Sequence, residues 1–120
     1  MDVLHTAIEV TDLDATREFY EDLLGLERSR EYEQHGVRNY YVTGAGPGEL
    51  QFRVVDAVPD PAGIDHIAIA ADDVDATVET AVSEYGVTVE REPATLERVN
   101  RRLAALTDPD GYTVHLIEEL

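Results

Sequence analysis

Four histidines and no cysteine bound the chemistry open to this 120-residue chain. Imidazole serves as a general base near neutral pH or, uncharged, as a metal ligand. The absence of cysteine excludes thiolate metal sites, disulfides and a cysteine nucleophile. His5 and His66 stand in the similar runs His5-Thr6-Ala7-Ile8 and His66-Ile67-Ala68-Ile69, and His115 lies near the C-terminus in Thr113-Val114-His115-Leu116. The fourth, His35, precedes Gly36 in a predicted turn and reads as solvent-exposed. Any one histidine alone reads most simply as a hydrogen-bonded polar side chain. Three in corresponding places point to a metal site.

The correspondence comes from an internal repeat. Residues 4–31 align with residues 65–92 at eleven of 28 positions, among them His5/His66, Ala7/Ala68, Asp12/Asp73, Asp14/Asp75, Gly25/Gly86 and Arg30/Arg91. Unrelated segments of this composition would match at about two. Each copy reads as strand, helix, then three strands. Residues 3–10 and 64–70 alternate as half-buried strands. Asp12 and Asp73 sit where N-caps belong. The first helix is expected to bury Leu13, Tyr20, Leu23 and Leu24 and to stop at Gly25. The second is expected to bury Val74, Val78, Ala81, Val82 and Tyr85 and to stop at Gly86. Strands follow near 27–33, 37–43 and 49–55, then near 87–91, 99–106 and 112–118, with Asp108-Pro109-Asp110-Gly111 as a turn. The chain therefore reads as one domain of two modules, 1–56 and 64–120, joined by a linker at 57–63.

Strand alternation sorts the side chains into faces. Leu4, Thr6, Ile8 and Val10 form one face of the first strand, and His5, Ala7 and Glu9 the other. The aliphatic face should pack on the helix, leaving the small, polar face for a cleft. In the last strand of each module, Gln51 and Arg53, and Thr113, His115 and Ile117, fall on the cleft side. His5, Gln51, His66 and His115 thus occupy corresponding places.

The charge balance is unusual. Asp and Glu total 26 against nine basic residues, all arginine, for a formal net charge of −17. This pattern is similar to that of proteins adapted to molar salt, where a Debye length of ~3 Å screens self-repulsion. It excludes nucleic acid and anionic membranes as natural partners. No apolar run approaches the ~20 residues of a membrane helix, and the N-terminus lacks a signal-peptide pattern, so a cytoplasmic location is expected.

The stretches Leu4–Val10, Arg17-Glu18-Phe19-Tyr20 through Leu24-Gly25-Leu26, Asp65-His66-Ile67-Ala68 and Asp108–Tyr112 resemble the vicinal oxygen chelate superfamily, which includes glyoxalase I, methylmalonyl-CoA epimerase, extradiol dioxygenases and bleomycin-resistance proteins. The resemblance implies an α+β fold of two tandem βαβββ modules curled around a shared cleft. It implies a divalent metal (Zn, Ni, Co or Fe) held by His5, Gln51, His66 and His115, although glutamate is usual at the last position. It also implies a homodimer and a small-molecule substrate. An enolate-forming lyase or isomerase needs a base, for which His115 and Glu9 are the candidates. Arg53 is a candidate for binding a substrate carboxylate or phosphate, with a pair to Glu9 as the plainer role. Arg101 and Arg102 read as salt-bridged.

Three function classes remain. The first is a metal-dependent glyoxalase- or epimerase-like enzyme, preferred because His-Gln-His is intact. The second is an extradiol-type Fe(II) dioxygenase, whose carboxylate ligand is missing here. The third is a non-catalytic binding protein, which needs no aligned histidines.

Overall fold

Two aspartates fix where the helices begin. Asp12 Oδ1 accepts from the Ala15 N–H and Asp73 Oδ1 from the Ala76 N–H, both at 3.0 Å. Both caps have extended backbones, so their side chains fold back onto helical N–H groups that have no partner within the helix. In the computed structural model, which describes residues 1, 3–58 and 64–120, α1 spans Leu13–Arg17 and α2 spans Val74–Tyr85.

The helices end alike. Leu26 N–H reaches Tyr20 O at 2.9 Å and Val87 N–H reaches Ala81 O at 3.0 Å. That six-residue closure needs a left-handed residue between, supplied by Gly25 at φ 74° and Gly86 at φ 62°.

The first helix departs from the expected single α-helix. After Arg17 it widens into a π-helical turn over Glu18–Leu23, and Leu24 N–H bonds Phe19 O at 3.1 Å. The wider turn lets the sequential neighbours Phe19 and Tyr20 both face inward beside Thr16, while Leu23 and Leu24 are only half-buried. In α2, Val74, Val78 and Ala81 are buried as expected, but Val82 is 52% exposed because it lies to one side of that arc.

The chain divides into two compact units, residues 1–59 and 60–120. Residues 59–63 of the expected linker lie outside the described residues. The first unit holds β1 (His5–Val10), β2 (Glu27–Gln34), β3 (Val37–Thr43) and β4 (Glu49–Val54) in the order β1-β4-β3-β2. The second holds β5 (Ile67–Ala70), β6 (Val89–Leu96), β7 (Arg101–Thr107) and β8 (Thr113–Glu119) in the order β5-β8-β7-β6. In each unit the first strand pairs parallel with the last, and the remaining pairs are antiparallel. Each is a βαβββ module with a four-stranded mixed sheet.

One sheet face carries the apolar core of its unit. Ile8, Val10, Tyr40, Val42 and Phe52 are buried in the first; Ile67, Leu106, Val114 and Leu116 are buried in the second. Each of the larger side chains contributes roughly 1.5–3 kcal/mol by leaving water. Ala7 and Ala68 are exposed on the opposite face, as the alternation requires. Leu4 was expected with the buried set, but it precedes the first ladder pair and is 71% exposed. His35 is an exposed turn residue with φ 54°.

Candidate functional site

Register places the chemistry-bearing residues on the face opposite the core. In the first unit a straight cross-strand row runs Ala7–Gln51–Tyr41–Arg30 over β1, β4, β3 and β2. In the second the matching row is Ala68–His115–Ala105–Arg91 over β5, β8, β7 and β6. Residues directly opposed across strands project to the same side. Each predicted site residue therefore stands in or beside one of these rows.

In the second unit His66 and His115 meet. Their rings stack with centroids 4.0 Å apart and planes 7° from parallel. His66 Nδ1 lies 2.7 Å from Asp65 Oδ1, and that hydrogen bond holds the Asp65 carboxyl below its usual range. With Nδ1–H donating to Asp65, Nε2 carries the lone pair, the tautomer that suits a metal ligand. Burial lowers the pKa of His115 below the ordinary histidine value, and the charges of His66 and Arg91 lower it further against the pull of Asp65 and Glu90. A neutral imidazole at physiological pH results, fit to bind a metal or accept a proton.

In the first unit the partners differ. His5 stands edge-on to the Tyr41 ring, centroids 5.6 Å apart. Gln51 is buried, and its Nε2 donates to Asn39 Oδ1 at 2.8 Å. That bond orients the amide and commits its Nε2 to Asn39. Arg53 and Glu9 form an exposed ion pair at 3.7 Å. Arg101 pairs with Glu119 at 2.9 Å, and Arg102 pairs with Asp75. Each unit by itself supplies two of the four predicted ligands. The donor set of three imidazoles and an amide suits a nitrogen-loving first-row ion better than Mg or Ca.

Several residues of this face were not singled out from sequence. Glu49 is in register with His5; it accepts from Ser29 Oγ at 2.6 Å and faces Arg30 at 3.6 Å. In the second unit Glu90 accepts from Thr107 and Thr113 hydroxyls, both at 2.8 Å. Each module thus holds one hydroxyl-anchored carboxylate beside its row. Arg30 and Arg91 carried a signal in their identity across the repeat; Tyr41 and Glu49 carried none. An acidic group of Asp73, Asp75 and Glu118 also gathers among the described residues. Its oxygens are committed to Ala76 N–H, to Arg102 and to Val74 N–H, so it caps α2.

Two βαβββ modules in one chain, with His5, Gln51, His66 and His115 on or beside their first and last strands, match the architecture of the vicinal oxygen chelate class of protein. A family model described as the Glyoxalase/Bleomycin resistance protein/Dioxygenase superfamily matches residues 2–116, and the chain belongs to that superfamily. It is 35% identical to the lactoylglutathione lyase of Haemophilus influenzae over 126 residues, covering 98% of this chain and 93% of the relative. It is also 35% identical to a probable chloroplastic lactoylglutathione lyase of Arabidopsis thaliana, covering 97% of this chain but 35% of that longer protein. The fold matches the crystal structure of glyoxalase I from Zea mays with a TM-score of 0.81 and 29% identity, over 98% of this chain and 47% of that one. The chain thus spans about a third to a half of these plant relatives. Among the described residues no helix is long and apolar enough to cross a membrane.

Proposed function

We propose that the chain is a glyoxalase I-like lyase, converting the hemithioacetal of a 2-oxoaldehyde and a thiol into a 2-hydroxy thioester. The observation that carries this reading is the near end-to-end match to the bacterial lactoylglutathione lyase. The half-buried, neutral imidazole of His115 supports it. In this reading His5, Gln51, His66 and His115 hold a divalent ion of the Zn, Ni, Co or Fe type. When bound, the ion polarises the two adjacent substrate oxygens.

The chain's own residues move the proton. One C–H proton leaves the carbon bearing sulfur and returns to the neighbouring carbon, so no electrons are gained or lost overall. His115 is suited to accept it when its lone pair is released from the ion, because burial lowers its pKa and keeps it uncharged. Glu9 is the second candidate, although Arg53 competes for its carboxylate. Glu49, anchored by Ser29 in register with His5, joins them. Each unit supplies two of the four ligands, and a homodimer is part of this reading.

The test is thioester formation from methylglyoxal and glutathione by protein loaded with Zn or Ni, beside elemental analysis and light scattering. Turnover that disappears on chelation and returns with metal supports the reading. Binding of small molecules without turnover or stoichiometric metal replaces it with a sequestering role, and oxygen uptake with catechols replaces it with a dioxygenase.

A further inference from the structure

Arg30 and Arg91 are identical across the repeat and end the same cross-strand row in their two units. Their surroundings differ. Arg30 is occupied: its guanidinium lies 4.1 Å from the Tyr41 ring centroid and 3.6 Å from Glu49. In the second row Ala105 stands where Tyr41 stands in the first, and Thr113 stands where Glu49 does. Arg91 therefore has neither ring nor carboxylate. Among the described residues no carboxylate lies within ion-pair distance of it, whereas seven other arginines are paired.

Arg98 is the other arginine without an ion pair among the described residues, but it lies in the turn between β6 and β7, off the row that holds His115. Register shifts on both sides of Arg91 interrupt the β6–β7 ladder, the kind of irregularity that re-aims a side chain near functional sites. Ala68, which is exposed, and Ala105, which is buried, flank His115 with single methyl groups in the row that Arg91 ends. An anionic ligand is repelled by the protein as a whole, so a local, forked donor is needed to hold it. One guanidinium matches one carboxylate in a bidentate pair. A phosphate dianion would need more positive charge than this face offers, with Glu90 close by.

We propose that Arg91 is the specificity residue by which the His66–His115 half-site binds a carboxylate of its substrate. The assignment deepens the glyoxalase-like reading and rests on it for the identity of the substrate. Calorimetry tests it on metal-loaded protein, with S-hexylglutathione and its diethyl ester as probes. Wild type should bind the free acid about tenfold more tightly than the ester, as expected for a charge-assisted bidentate pair. Arg91→Ala should weaken acid binding by that factor and leave ester binding unchanged, so that acid and ester become equal. Arg91→Lys should fall between, and Arg98→Ala, which removes a distant exposed charge, should behave as wild type. Undiminished preference for the acid in Arg91→Ala, or failure of wild type to bind either probe, overturns the assignment. Loss of preference in a protein whose wild type lacks hemithioacetal turnover keeps Arg91 in place and removes the lyase reading instead.

Discussion

The imidazoles of His66 and His115 lie face to face, 4.0 Å between centroids and 7° from parallel. Two protonated rings at this separation would repel by about 1 kcal/mol even in water-like dielectric, and by more in a half-buried site. The pair therefore disfavours double protonation. His66→Ala is expected to reduce bound Zn or Ni well below the wild-type stoichiometry after dialysis and elemental analysis. His115→Glu supplies an anionic ligand and is expected to raise retention. Equal, substoichiometric metal in wild type and His66→Ala would exclude a metal site.

Asp65 orients His66 through the 2.7 Å hydrogen bond to Nδ1. Asp65→Asn keeps the size and removes the charge that favours an Nδ1–H donor. Metal affinity should drop about tenfold, the lower end of such orienting effects, when measured by competition with a chelator. An unchanged affinity would show that the bond does not fix the ligand tautomer.

Metal binding should also weaken with acid, because protons compete for the same nitrogen lone pairs. The depressed pKa of His115 means its own competition starts only below the ordinary histidine value of about 6.5. Titration of affinity against pH should be flat above neutrality and fall steadily below about pH 6. A fall that begins on the alkaline side would assign the competing group elsewhere.

Tyr40 is 1% exposed and donates its hydroxyl hydrogen bond to Glu21. Burial, joined by the bond and charge of Glu21, pushes its pKa up to about 12. The folded state therefore holds this proton more tightly than the unfolded chain, whose tyrosine titrates near 10. The resulting stabilisation is present below pH 10 and is lost as pH rises from about 10 to 12, on the order of 2 kcal/mol. Tyr40→Phe should flatten that part of the alkaline unfolding profile in denaturant titrations. The same slope in the variant would place the titrating group elsewhere.

Gly86 closes α2 at φ 62° with open space around it. Gly86→Ala should meet no clash and lose about 1 kcal/mol to backbone strain alone. The midpoint of thermal unfolding should fall by several degrees. No change in midpoint would mean that the cap relaxes out of the left-handed region.

The repeat, the Asp12 and Asp73 caps, the Gly25 and Gly86 stops and the strand alternation were legible in the sequence because each is a local property. Caps and glycines act within one helical turn, and alternation follows from the two-residue strand period. That was enough to place His5, Gln51, His66 and His115 on one kind of face. Tertiary structure decided what stands beside them. Arg30 and Arg91 read identically in the repeat, yet one lies against Tyr41 and Glu49 while the other stands opposite Ala105, with Thr113 in the place of Glu49. The π turn in the first helix and the stacking of His66 on His115 were equally hidden. These outcomes depend on register between strands distant in sequence and on the bulges that shift it. A one-residue slip in that pairing would send every side chain to the opposite face.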